Sequence, residues 1–238
     1  MEGAYNGRIE NCRQNLTMKR FECRAVIFDL DGVLVDSTGY VELQWRRWAT
    51  SKGLPVEPFL RVCHGRRALE TIRLAAPHLD AEAEVAAFAP EEGTLDPILG
   101  PVEGAARLLQ ALPIGSWAVA TSGTRLVATE RLRRAGLPIP GVLICAEDVV
   151  RGKPCPDAYL MAAADLGVEP TECLVVEDAP AGIEAAREAG MGVIALTTTH
   201  RREELPADAY TASLVGIHVG RIGENAREGR ILELLVLD

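Results

Sequence analysis

Two aspartates one residue apart, Asp29 and Asp31, follow the apolar run Ala25-Val26-Ile27-Phe28 and precede Gly32. A run of that length bounded by turn residues reads as a buried strand. Residues i and i+2 of a strand face the same way, so the strand end is expected to aim both carboxylates at one spot. Two such charges about 4 Å apart repel by about 4 kcal/mol at an effective dielectric constant of about 20. A divalent cation between them removes that cost, and the pair points to phosphate chemistry. An Asp-Gly turn at a strand end needs no chemistry at all, so the other segments must decide.

Three segments supply complementary groups. Thr121-Ser122-Gly123-Thr124 follows a second apolar run and opens a helix. A hydroxyl plus free N–H groups at a helix N-terminus cradle a phosphate, although Ser or Thr there also serves as an ordinary cap. Lys153 lies in Arg151-Gly152-Lys153-Pro154, a rigid turn that can fix an ammonium near the site or simply leave it in solvent. Glu177-Asp178 closes the run Leu174-Val175-Val176. Acids at the end of a buried strand are costly unless paired or metal-bound, though Asp178 can also cap the next helix. Each signal alone is modest. Their order, each after an apolar strand, makes chance a poor explanation.

The elements that must position these groups alternate strands with amphipathic helices from Cys23 onward. That pattern predicts an open parallel sheet, Rossmann-like, with helices on both faces in three layers. Strands are expected over 25–28, 117–121, 142–145, 174–177 and 193–196. Thr124, Gly136 and Pro138 punctuate one helix, Pro156 and Gly167 a second, and Asp178 and Gly190 a third. In such sheets ligands bind at the carboxyl ends of the strands, where all four segments fall.

The interval 38–100 breaks the alternation. It holds helical stretches at 41–52, 66–75 and 81–88 and no convincing strand, so it reads as a helical insertion after the first strand. Its position suggests a lid; a static subdomain is the plainer alternative. Trp45 and Trp48 are three apart on its first helix and are expected to share a buried face. Residues 1–20 lack periodicity and are expected to be a flexible extension. Residues 217–238 are expected to form a small hairpin around Glu224-Asn225.

Composition narrows the classes. Of 238 residues, 25 are basic and 34 acidic, giving a net charge of −9, which argues against nucleic acid or an anionic membrane as the main partner. Six scattered cysteines form no C-x-x-C pair, so neither a zinc site nor a disulfide framework is expected. The N-terminus has no apolar signal-peptide core and no stretch approaches a membrane span, so a reduced cytoplasmic setting fits.

Phe28-Asp29-Leu30-Asp31-Gly32, Ala120-Thr121-Ser122-Gly123-Thr124, Gly152-Lys153-Pro154 and Val176-Glu177-Asp178 together resemble the haloacid dehalogenase-like hydrolase superfamily, over about residues 21–196. The insertion resembles that superfamily's small α-helical cap, which implies a core of 21–37 and 101–238 and a cap of 38–100. More narrowly, the stretches 117–125 and Cys63-His64-Gly65-Arg66-Arg67 look like those of sugar- and polyol-phosphate phosphatases of the glycerol-phosphate and deoxyglucose-phosphate kind.

The resemblance implies a Mg²⁺-dependent phosphomonoester hydrolase. Asp29 would be the nucleophile, forming an aspartyl phosphate, and Asp31 the acid and base. Asp29, Asp178 and the Asp31 backbone carbonyl would hold the ion, with Glu177 orienting them. Thr121 and Lys153, aided by Ser122 and Gly123, would hold the phosphoryl oxygens, and His64 and Arg66 on the cap would contact the leaving group. Competing expectations are a phosphoglucomutase-type transfer back to a sugar and a catalytically silent binding homologue. Dehalogenation would leave Asp31 without a role.

Overall fold

Period-two alternation along the core strands assigns every side chain to one of two hydrophobic layers. The computed structural model describes residues 17–88, 99–225 and 229–238. In chain order the first elements are β1 (Met18–Cys23), β2 (Ala25–Phe28), α1 (Thr38–Ser51), α2 (Glu57–Leu60), α3 (Ala68–Ala75), α4 (Ala81–Phe88) and α5 (Ala105–Ala111). Then come β3 (Trp117–Ala120), α6 (Arg125–Arg134), β4 (Leu143–Ile144), α7 (Asp157–Leu166), β5 (Cys173–Glu177) and α8 (Pro180–Glu188). The chain closes with β6 (Gly192–Leu196), β7 (Ala209–Thr211), β8 (Ile217–Asn225) and β9 (Gly229–Leu237).

Six strands form one sheet in the order β4-β3-β2-β5-β6-β7, parallel throughout. Val26, Phe28, Val119, Leu174, Val176 and Ile194 face a layer built with α5 and α6. Ala25, Ile27, Ala118, Val175 and Val193 face a second layer built with α7 and α8. The result is the expected three-layer α/β arrangement.

Helices α1 to α4 carry a hydrophobic cluster of their own. Trp45, Trp48 and Phe59 are its centre, with Trp45 stacked on Phe59 at 5.7 Å and Trp48 edge-on to Phe59 at 5.1 Å. Both tryptophans are buried there.

Several local readings differ from the structure. The N-terminal extension expected through residue 20 lies outside the described residues up to residue 16. Met18 to Arg20 are instead part of β1, which pairs antiparallel with β9. The expected C-terminal hairpin consists of β8 and β9, and together with β1 it forms a second, three-stranded sheet. Residues 226–228, between these strands in sequence, lie outside the described residues. The sheet is no appendage, because Cys23, Ile217, Leu232, Leu234 and Val236 are buried in the same layer as α5 and α6.

Strand β7 and helices α2 and α5 add to the expected elements; they are too short to show a period in the sequence. Helix α3 begins at Ala68 rather than Arg66, because Arg67 is extended and Gly65 has φ +74°. Among the described residues no helix is long and apolar enough to cross a membrane, and the five described cysteines are free thiols.

Candidate active site

Register alone brings two acids together. Phe28 pairs with Val176 across the parallel strands β2 and β5, so the next residues, Asp29 and Glu177, are neighbours at the carboxyl edge. Asp29 continues the alternation of Ala25 and Ile27, and Glu177 that of Cys173 and Val175, so both point into the α7 and α8 layer. Lys153, on the loop before α7, enters that layer and is buried. Its ammonium donates to Asp29 Oδ1 at 2.5 Å, Glu177 Oε1 at 2.8 Å and the Ala120 carbonyl at 3.1 Å.

Glu177 is saturated. Tyr159 also donates to Oε1 at 2.8 Å, and the N–H groups of Asp178 and Ala179 donate to Oε2 at 2.8 and 3.0 Å. Asp178 stands beside the pair; its backbone carbonyl accepts from Thr199 Oγ1 at 2.5 Å. One carboxylate oxygen from each of Asp29, Glu177 and Asp178 lies within 4.8 Å of the other two. Gly32 is required here: at φ +78° its backbone comes so close that a Cβ would sit 2.1 Å from Asp178 Oδ2.

Three buried acids share one ammonium. Burial raises Asp29 to about 7; Lys153 pulls against this, while Glu177 and Asp31 add to it. Burial, with Glu177 and Asp29, likewise raises Asp178 well above the carboxylate range. Burial also opposes charge on Glu177, but Lys153 and the surrounding donors outweigh it and its pKa falls. Burial opposes charge on Lys153 too, yet Asp29 and Glu177 raise its pKa well above the ordinary value. Unpaired buried carboxylates in this number are costly. An all-oxygen donor set with excess negative charge fits a hard divalent cation.

Asp31 corrects the opening expectation. Strand β2 ends at Phe28, and Asp31 lies past it in an isolated bridge with Val35, so the period of two no longer governs its side chain. The Asp31 carboxylate is outside the three-acid group. Its Oδ1 accepts from Arg131 at 2.6 Å and from Ser37 at 2.5 Å. Ser37 occupies the capping position of α1 but caps nothing.

Asp29, Asp31, Thr121, Ser122, Gly123, His64 and Arg66 nevertheless line one pocket, with Gln44, Trp45 and Arg131. Four segments of the core and the loop before α3 thus converge. Thr121 Oγ1 accepts from the Gly123 N–H at 3.1 Å, and Thr124 caps α6. The Ser122 hydroxyl is committed elsewhere than to a phosphate: it donates to the Gly65 carbonyl at 2.9 Å. Gly65 packs so tightly on α8 that a Cβ would lie 2.8 Å from Ala179 Cβ. Beside it, Arg67 donates to the carbonyls of Ala146, Val149 and Val150. The helical segment is therefore seated on the core at the pocket. His64 lies edge-on to His200 and 3.5 Å from Glu42. Burial lowers its pKa despite Glu42, which favours the uncharged form of the ring.

Arg131, Tyr159, Ser37 and Gln44 were not among the residues the sequence singled out, and Arg67, marked there beside Arg66, serves the joint to the core instead of the pocket. Arg131 carried a usable signal, a charge at i+3 and i+4 from Ala128 and Val127 on an otherwise apolar helix face. The others became visible with the contacts.

A family model for haloacid dehalogenase-like hydrolases matches residues 23–190. The chain belongs to this family. Hexitol phosphatase A of Escherichia coli is 44% identical over 73% of this chain and 83% of its own length. Glycerol-1-phosphate phosphohydrolase 2 of Saccharomyces cerevisiae is 36% identical over 74% of this chain and 75% of its own. A solved structure of CbbY from Rhodobacter sphaeroides in complex with phosphate superposes with a TM-score of 0.64 at 26% identity, covering 81% of this chain and 95% of that one. As a member of this hydrolase family whose relatives include named phosphatases, the chain is an enzyme. Its family-matched part includes every acid and cation of the cluster, while β8 and β9 lie beyond it.

Proposed function

We propose that the protein is a Mg²⁺-dependent phosphatase that hydrolyses a small sugar or polyol phosphate through an aspartyl-phosphate intermediate. The observation that carries this reading is the buried Lys153 ammonium bridging Asp29 and Glu177 beside Asp178, at the rim of the pocket that holds Asp31 and Thr121. The relatives named for hexitol and glycerol phosphates support the substrate class. The acidic surface and the confined pocket fit a small phosphorylated metabolite rather than nucleic acid or membrane, in a reduced cytoplasm.

In the first step a carboxylate oxygen of Asp29 forms a bond to phosphorus as the bond to the ester oxygen breaks. The proton on Asp31 passes to the departing alkoxide. In the second step Asp31, now a carboxylate, takes a proton from the water that attacks the aspartyl phosphate. Inorganic phosphate leaves and Asp29 is regenerated. Thr121 holds a phosphoryl oxygen as charge builds on it; Lys153 and the Gly123 N–H, each bonded within the site, reach the phosphoryl group by exchanging one of those partners for it. The helical segment 38–100 acts as a cap that excludes water and presents His64 and Arg66 to the leaving group.

Asp29, Asp178 and the Asp31 backbone carbonyl would hold Mg²⁺, which, when bound, neutralises the acids and draws charge from the phosphoryl oxygens. Glu177 orients this set rather than binding, because Lys153, Tyr159 and two N–H groups already occupy its oxygens. Phosphate-ester hydrolysis demands acceleration up to about 10²¹-fold, whereas one preorganised donor contributes about 3–4 kcal/mol. No single group suffices, which is why a whole constellation is needed.

A phosphate-release screen over small phosphorylated metabolites, with Mg²⁺ or with EDTA, tests the proposal. Release from hexitol or glycerol phosphates, lost in EDTA, is expected. Sugar phosphate isomerised without release, or no turnover on any ester, overturns it.

A further inference from the structure

Arg131 takes no part in the steps proposed for turnover, although it is buried in the site. It projects from the inward face of α6, with a side chain 11% exposed, and donates to Asp31 Oδ1 at 2.6 Å. Ser37 holds the same oxygen at 2.5 Å. Among the described residues Oδ2 receives no hydrogen bond, and both Asp31 and Arg131 line the pocket. Two donors from separate elements, one from α6 and one from the start of α1, thus fix one oxygen of the carboxylate.

We propose that Arg131 is a positioning residue for Asp31, clamping Oδ1 so that Oδ2 meets the ester oxygen of the bound substrate. The inference rests on the reading of Asp31 as the acid and base. Asp31 lies past the end of β2, so the sheet does not hold its side chain. Without an opposing cation its carboxylate would be drawn toward Lys153 or an ion beside Asp29. The guanidinium presents several donors in a rigid plane, which an ammonium cannot copy. Proton transfer needs hydrogen-bond reach, and a misplacement of about 1 Å can cost about 100-fold in rate.

The test compares Arg131→Leu, Arg131→Lys, Asp31→Asn and the double variants on two esters with Mg²⁺. Glycerol 1-phosphate releases an alkoxide that needs a proton; para-nitrophenyl phosphate releases a stable phenolate that does not. Arg131→Leu is expected to lose at least about tenfold more kcat on glycerol 1-phosphate than on the aryl ester, with KM on each ester within about threefold of the parent. Arg131→Lys recovers part of the loss. Adding Arg131→Leu to Asp31→Asn costs nothing further, because the arginine acts through the acid.

Equal losses on the two esters, losses confined to KM, or losses that multiply in the double variant overturn the proposal. If Arg131→Leu does not fold, Arg131→Lys alone and combined with Asp31→Asn carry the same comparisons. Retention of the glycerol 1-phosphate rate by Asp31→Asn removes the underlying reading of Asp31. A large Asp31→Asn loss beside unaffected Arg131 variants removes the proposal alone.

Discussion

Two aspartates separated by one residue occupy different chemical settings. Asp29 is buried against Lys153 among acids, and its carboxyl is raised to about 7. Asp31 is held by Arg131 and Ser37. A nucleophile must be ionised while a proton carrier holds a proton, and burial works against that for Asp29, so its attacking form depends on Lys153 and on a cation that would offset the neighbouring acids. Replacing Asp29 with Asn removes the attacking oxygen while relieving repulsion in the acid group. The variant is expected to lose at least about 10³-fold in kcat, equivalent to about 4 kcal/mol, with an unreduced melting temperature. Steady-state kinetics and a thermal melt check this, and residual turnover above about a tenth of the parent removes the nucleophile assignment.

At the scale of elements, the loop between α2 and α3 joins the helical segment to the sheet edge. Gly65 touches α8, Ser122 binds the Gly65 carbonyl, and Arg67 reaches three carbonyls after β4. Arg66, between those anchors, lines the pocket and bonds the Val62 carbonyl at 3.3 Å, so its position is fixed by its neighbours. Arg66→Ala is expected to lower kcat/KM on polyol phosphates about tenfold more than on para-nitrophenyl phosphate. Equal falls on both esters would show that the loop does not select the leaving group. The sequence marked His64-Gly65-Arg66-Arg67 as one unit, but placed Arg66 on a helix. The structure divides the four, giving Arg67 to the joint and Arg66 to the pocket.

For the whole molecule, the charge of the acid group couples folding to pH and to metal. Asp29 shifts from its ordinary 3.8 to about 7 in the folded chain, and Asp178 shifts the same way. The metal-free folded state therefore binds more protons than the unfolded chain between about pH 4 and 7. Its stability falls as pH rises through that window, on the order of a few kcal/mol. Glu177, lowered, contributes the opposite sign and loses its contribution as pH falls below its ordinary range. On the proposed function Mg²⁺ would bind the ionised acids, so the gain in melting temperature from Mg²⁺ over EDTA is expected to be larger at pH 8 than at pH 5. Equal gains at the two pH values would refute the coupling.

The sequence by itself determined the layers, the strand ends and the rim at which the four segments meet. Period-two runs and Gly or Pro punctuation are local and strong, and the side chains of Asp29 and Glu177 follow from them together with strand register. What only the tertiary structure decided lies where that local period stops or where contacts span long separations. Asp31 lies past the strand end, just before the turn at residues 32–34, so its partner came from α6, 100 residues away. Strand β1 gained its place by pairing with β9 at the far end of the chain. A six-residue strand shows no core-facing signal until the strand that covers it is in place.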